Sequence, residues 1–261
     1  MVLGQPDGRP FPRCQGTPRR RSLAGRDRLL AMLVLGIETS DRPGSAALCC
    51  DGECLAEVPL ELDGLRHAQA LPPVVASLLA DHQIVPGSLD LIAVSHGPGS
   101  FTGLRVGIAF AKTLAWAVGC KLVAVDTFEA IASETLIDVD TLWVASDAHR
   151  DELFVRHFSR KVDGRWQPDG DHSIVPCHDW CDARTIEEVV VTATPGLLDR
   201  GSEPVRHRIV SDRPRPGAES VARLGYDACL AGAADDPITV EPLYLRRSAA
   251  EEKRDSLRPD G

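Results

Sequence analysis

Two short segments carry the residue types from which a ligand-handling site could be built. The first is Glu38-Thr39-Ser40, an acidic residue and two hydroxyls at the end of an apolar run. Hydroxyls and backbone N–H groups in a tight turn hold phosphate oxygens well, and the same residues serve equally as a turn device. The second is Gly97-Pro98-Gly99-Ser100-Phe101-Thr102-Gly103, a loop that opens a helix. Its glycines let the backbone approach a ligand closely, and the helix start behind them offers unpaired N–H groups and the positive end of the helix dipole. It is not a P-loop, because no Gly-Lys-Ser/Thr follows and Lys112 lies more than two turns along the helix. The competing reading is a sharp strand-to-helix turn with Ser100 or Thr102 as the N-cap. Glu38, Thr39, Ser40, Gly97, Gly99 and Ser100 are therefore the candidate phosphate or nucleotide contacts.

A third grouping invites a metal reading: His172, Cys177, His178 and Cys181. Structural zinc sites pair two short spacings, and no second pair stands nearby, so a loop with free thiols is the better account and no metal is expected. The chain has eight cysteines in 261 residues, several inside apolar stretches, which does not make a disulfide framework. A reducing cytoplasm is the expected compartment. The formal charge of −9 argues against a standing nucleic-acid surface. No apolar run approaches the roughly 20 residues that span a bilayer, so no membrane partner is expected.

The elements that must position these residues follow from hydrophobic periodicity. Leu33–Ile37 and Ser45–Cys50 are apolar runs, Asp51-Gly52 signals a hairpin, and Glu53–Leu60 returns, which predicts three antiparallel strands. Leu71, Val74, Val75, Leu78 and Leu79 fall on one face of a helix whose regular part begins near Leu71, since prolines 72 and 73 suit only a first turn. Leu89–Ser95 reads as a buried strand, Leu104–Val118 as a second helix, Lys121–Val125 as a strand and Phe128–Glu134 as a short helix. The pattern then restarts with a hairpin formed by Leu142–Ser146 and Glu152–Phe158. The order βββαβαβα predicts an α/β fold with an RNase-H-like lobe, followed by a smaller second lobe that begins the same way.

The second helix has a further property. Gly103, Gly107, Ala111 and Ala115 recur every four residues and form a stripe of small side chains, the kind that lets another helix approach. Most remaining positions are apolar, so nearly the whole circumference calls for burial. The first helix, through Leu71, Val75 and Leu78, or a second protein chain is the expected cover.

These segments also carry a resemblance. Ile37-Glu38-Thr39-Ser40, His67-Ala68-Gln69, the run Ile92 to Gly107 through Gly-Pro-Gly-Ser-Phe-Thr-Gly-Leu-Arg-Val-Gly, Lys112 to Ala115, Asp147-Ala148 and Pro242-Leu243-Tyr244-Leu245-Arg246 resemble the TsaB family. The match runs from Met32 to about Arg247 and is weak between Arg165 and Val221. The resemblance implies two RNase-H-like lobes of the actin/Hsp70/sugar-kinase type. It also implies a non-catalytic assembly and dimerisation subunit of the complex that transfers a threonylcarbamoyl group to N6 of adenosine 37 in tRNAs reading ANN codons. TsaD and the ATPase TsaE are the implied partners, with a homodimer when the chain is alone and tRNA contacted only through the complex. The implied interface is Leu71, Val75, Leu78, Gly103, Gly107, Ala111 and Ala115. No cofactor is required by this chain, and the resemblance leaves room for a nucleotide in the complex.

The catalytic paralogue TsaD carries an Asn-His-x-Glu-Ala-His pattern whose histidines bind metal. Here the segment reads Asp126-Thr127-Phe128-Glu129-Ala130-Ile131, with Thr127 and Ile131 at the ligand positions. Threonine is a poor ligand and isoleucine none, so the resemblance points to a scaffold and not an enzyme. The alternative is a nucleotide-hydrolysing or peptidase-like enzyme that uses the inherited cleft. One departure from the family is that Asp147-Ala148 is followed by His149 before Arg150.

Four segments are expected. Residues 1–31, with seven arginines against two aspartates, read as a disordered or misassigned extension, their +5 leaving −14 for the rest of the −9 total. Residues 32–134 form the first lobe with the dimerisation helices, 135–248 the smaller lobe, and 249–261 a flexible tail.

Overall fold

A computed structural model of the chain describes residues 31–61, 67–185, 187–194, 196, 198, 208–210 and 216–246. The expectations for residues 1–30 and 249–261 lie outside the described residues.

The first lobe is built on a five-stranded sheet. Its strands are β1 (Leu33–Glu38), β2 (Ser45–Cys50), β3 (Glu53–Pro59), β4 (Leu91–Gly97) and β5 (Lys121–Asp126), in the spatial order β3-β2-β1-β4-β5. The first three are antiparallel around the Asp51-Gly52 turn, whereas β1, β4 and β5 run parallel. Every residue of β1 is buried, as expected of a strand covered on both faces. Alternation then decides which face each residue serves. Leu33, Leu35 and Ile37 join Ile92 and Val94 under α1 (His67–Asp81) and α2 (Phe101–Val118). Val34, Leu91, Ala93, Val123 and Val125 point the other way, to a second apolar layer.

That second layer is supplied from far along the chain. It is α5 (Ala218–Leu230), whose Val221, Ala222 and Cys229 pack against this face. Gly36 makes the approach possible: a Cβ there would lie 2.1 Å from the Ala218 carbonyl oxygen. Carboxylates meet the helix start, Glu57 Oε1 accepting from Ala218 N at 2.6 Å and Glu134 Oε1 from Gly217 N at 3.0 Å, where the helix dipole favours negative charge. Residues 235–243 continue over the same lobe. Asp235 bridges Leu122 at the β5 edge, Lys112 Nζ donates to the carbonyls of Ile238 and Val240, and Leu243 N donates to His96 O. The expected division at residue 135 is thus corrected: residues 216–243 belong structurally with the first lobe, and Arg246 then reaches Ala148 O and the Glu152 carboxylate of the second. Nothing local marks this, because the surface that α5 needs lies more than ninety residues earlier in the chain.

The second lobe is an insertion between α3 (Thr127–Ser133) and α5. Its sheet has the order β11-β10-β6-β7-β8, from β6 (Thr141–His149), β7 (Glu152–Arg160), β8 (Trp166–Pro168), β10 (Val189–Val191) and β11 (Arg208–Val210), with β9 (Ser173–Pro176) also pairing with β7. One face packs on Phe128, Ile131 and Ala132 of α3, the other on α4 (Cys177–Asp182). The helix starts also differ from expectation. α1 begins at His67, so Pro72 and Pro73 lie in its second turn, and their exposed rings avoid the core. α2 begins at Phe101 because Ser100 caps it, Oγ accepting from Gly103 N at 3.3 Å. By length and composition α2 is apolar enough to cross a membrane, but here its inner face is core.

Candidate functional site

The three parallel strands deliver their C-terminal ends to one edge of the sheet, the place where open α/β folds collect ligands. Glu38-Thr39-Ser40 leaves β1, Ser95-His96-Gly97 ends β4, and Asp126-Thr127 ends β5. The structure therefore does bring the two candidate segments together. It also shows what they do to each other.

The glycine loop folds directly onto the β1 end. Ser100 N donates to Ser40 O at 2.7 Å, and Thr39 N to Ser95 Oγ at 3.5 Å. Gly97 sits at φ 124°, a conformation that disfavours any side chain. A Cβ on Gly103 would lie 2.0 Å from Thr39 O, and one on Gly107 2.2 Å from Thr39 Oγ1. The small-residue stripe is thus a docking groove for the chain's own strand end. Glu38, Thr39 and Ser40 are 1%, 0% and 3% exposed as a result, so the hydroxyls expected to hold phosphate are sealed from solvent. Gly97 is buried too, Gly99 is half-buried, and only Ser100 is exposed, its hydroxyl engaged in capping.

The expected interface residues are corrected in the same way. Leu71, Val75 and Leu78 are buried under the sheet, as are Gly103, Gly107, Ala111 and Ala115. They face inward because a stripe of small residues admits any close neighbour, strand as readily as helix. The residues left outside include Thr102, Arg105, Ala109, Thr113, Trp116 and Ala117 on α2, and Pro72, Pro73, Ala76, Ser77, Ala80 and Asp81 on α1. Trp116 is 80% exposed. Spacing alone marks the side of α2 that packs closely, and here that side is turned to the chain's own core.

Glu38 is chemically unusual. Ser40 N donates to its Oε1, while Oε2 finds no well-aligned hydrogen-bond partner among the described residues. Burial pushes the carboxyl up from 4.5 to about 7, against the opposing pull of the Ser40 and Ser95 hydroxyls.

The β5 end holds a charged cluster that joins the lobes. Asp126 caps α3, Oδ1 accepting from Phe128 N at 2.7 Å and Glu129 N at 3.1 Å. Its Oδ2 receives Arg156 Nη1 at 2.7 Å and lies 2.9 Å from His172 Nε2, both from the second lobe. All three side chains are at most 12% exposed. Burial raises the Glu129 carboxyl and lowers the nearby His96 imidazole, in each case outweighing charges of opposite sign close by. His172 thereby lies beside Asp126 where the two lobes meet. Its expected companions go elsewhere: Cys177 and Cys181 are core, and His178 meets Asp179 and Asp182 on the surface. Sequence reading misses Asp126, Arg156 and His172 as a set, the one local signal being an aspartate at a helix N-cap. Replacing Asp126 by Asn keeps the cap acceptor and removes the charge. A loss of roughly 2 kcal/mol in chemical denaturation is expected, and no loss would mean that the cluster does not hold the lobes.

Thr127 and Ile131, at the positions of the paralogue's metal histidines, are 3% and 5% exposed and packed into the fold. Neither offers a donor set that fits a metal ion.

Comparison with known proteins agrees with this layout. Residues 61–165 match the family described as TsaD: tRNA N6-adenosine threonylcarbamoyltransferase. The chain spans about a third of the length of such a transferase (35%). An uncharacterised protein of Mycobacterium tuberculosis is 31% identical over 189 residues, which cover 72% of this chain and 79% of that one. The tRNA threonylcarbamoyladenosine biosynthesis protein TsaB of Escherichia coli is 27% identical over 228 residues, 85% of this chain and 98% of that one. A crystal structure from Pseudomonas aeruginosa, described as an uncharacterised protein with similarity to peptidase YEAZ, superposes with a TM-score of 0.70 at 26% identity. It covers 82% of this chain and all of that one. With the actin-like α/β architecture and a match that covers 98% of the Escherichia coli TsaB protein, the chain belongs to the TsaB family.

Proposed function

We propose that this protein is the non-catalytic assembly subunit of the complex that threonylcarbamoylates N6 of adenosine 37 in tRNAs reading ANN codons. It pairs with a TsaD-type transferase, with TsaE as a third component, and self-associates when alone. The family's role in tRNA threonylcarbamoyladenosine biosynthesis supports the pathway. The observation that carries the subunit role is the exposed outer face of α1 and α2, which leaves Pro72, Pro73, Ala76, Ala80, Ala109 and an 80%-exposed Trp116 in water. Large aromatics left in water on a face of small residues are the anchors on which interfaces are built.

A non-catalytic reading is supported by the sealed Glu38-Thr39-Ser40 turn and by Thr127 and Ile131 in place of metal ligands. A nucleotide hydrolase or peptidase would need those groups at a surface that substrate reaches.

The test uses Trp116→Glu. An exposed substitution of this kind changes stability by less than about 0.5 kcal/mol, while a charge placed at an interface centre costs well over tenfold in affinity. Co-purification with the transferase and tRNA modification in a reconstituted system should both fall at least tenfold while the melting temperature holds. Undiminished co-purification would place the interface elsewhere. ATP turnover by the subunit alone, lost in Glu38→Gln, would revive the enzymatic reading.

A further inference from the structure

We propose that Cys49 and Cys54 form a reversible dithiol–disulfide pair, a redox modification site on the β2–β3 hairpin. The case starts from register. Cys49 and Cys54 are direct antiparallel partners, one step beyond the Cys50–Glu53 pair that flanks the Asp51-Gly52 turn. A β-bulge separates this pair from Leu48, yet the two cysteines stay directly opposed, and opposed residues have Cα atoms about 4.5–5.5 Å apart, inside the range of about 4.4–6.8 Å that a disulfide spans. The two side chains also point the same way. Both lie in the apolar layer under α5, whereas neighbouring Cys50 faces the opposite core. Each thiol is free, and the Cys54 thiol is hydrogen-bonded to that of Cys49.

Accessibility sets the order of events. Cys49 is fully buried and Cys54 only half-buried, so Cys54 is the sulfur that a small molecule meets first. The co-reactant is a low-molecular-weight disulfide such as oxidised glutathione. The Cys54 thiolate attacks one of its sulfurs, forming a mixed disulfide and releasing one small thiolate. The Cys49 thiolate then attacks Cys54 Sγ, closing the protein disulfide and releasing the second small thiolate. The protons of the two cysteines end on the two released thiols, so the protein loses two electrons and the small disulfide gains them. Hydrogen bonding to Cys49, followed by burial, pushes the Cys54 thiol above the ordinary cysteine range. The first step is therefore slow at neutral pH and quickens with alkalinity, while the second is intramolecular and fast.

The experiment treats the full-length protein with oxidised glutathione in excess over reduced, traps remaining thiols by alkylation, and fragments the peptide spanning β2 and β3 by mass spectrometry. The expected peptide lacks two hydrogens and carries one alkyl group, placed on Cys50, with more than half of the protein in this form. Return to three alkyl groups after dithiothreitol shows reversibility. Cys54→Ser should take three alkylations down to two and form no crosslink. Three alkylated cysteines after oxidation, a stable glutathione adduct on Cys54, or a crosslink that includes Cys50 would each overturn the pairing.

Discussion

Replacing Glu38 by Gln should flatten the pH dependence of stability between about pH 4.5 and 7. The sign follows from burial. In the unfolded chain the carboxyl titrates at 4.5, whereas in the folded protein it titrates at about 7. Below pH 4.5 both states are protonated and the native fold carries no penalty. As pH rises from 4.5 to 7 the unfolded state gains a solvated carboxylate while the native carboxyl stays protonated, so stability is lost over that window. A shift of this size corresponds to on the order of 3 kcal/mol, since each pKa unit is about 1.4 kcal/mol. Denaturant titrations of wild type and Glu38→Gln at closely spaced pH values give the difference directly, and every other titrating group cancels in it. Parallel curves would mean that Glu38 is ionised and solvated in the native state.

The second large effect concerns Gly103. By helix propensity, Gly103→Ala should stabilise α2 by up to about 1 kcal/mol. Sterics decide otherwise. The new methyl would lie 2.0 Å from the carbonyl oxygen of Thr39, a backbone atom that cannot rotate away, so either α2 or the end of β1 must shift. Overpacking of this kind costs about 1–3 kcal/mol and more where backbone is involved, so a net loss of about 3 kcal/mol is expected. The control is Gly87→Ala, where nothing lies within 4 Å and stability should hold. Equal melting temperatures for the two variants would show that the Thr39–Gly103 contact is not as close as described. The same geometry makes Gly107→Leu a folding variant. Its Cβ already collides with Thr39 Oγ1, so that variant loses its fold before it reports on any partner. Trp116→Glu separates the two effects because it touches only the outside.

Legibility in the sequence divided along a physical line. Strands β1 to β5 with their helices were readable because each buries a face whose period is visible within a dozen residues. The glycine loop was readable as a turn for the same reason. Its partner was not, since small residues report only that something comes close, and here that neighbour is Thr39, sixty-four residues upstream of Gly103. Gly36 carries a local signal: a glycine within an otherwise aliphatic strand often marks another backbone in contact, and here it is that of Ala218. Arg156 carries no local signal and the one around His172 points to the wrong neighbours, because contacts across a lobe boundary have no periodicity. Each looks like an ordinary polar residue until Asp126 lies beside it.

The late return of α5 has a consequence for how the protein is made. The last strand of the first sheet ends at Asp126, and the helix that covers one of its faces begins at Ala218. At synthesis rates of about 5–20 residues per second, the ninety-odd intervening residues take roughly 5–18 s to emerge. Throughout that interval the nascent chain holds a finished sheet with Val34, Leu91, Ala93, Val123 and Val125 bare on one side. That apolar surface is a natural ligand for a ribosome-associated chaperone. The smaller lobe, emerging in between, grows from a base that is not yet closed.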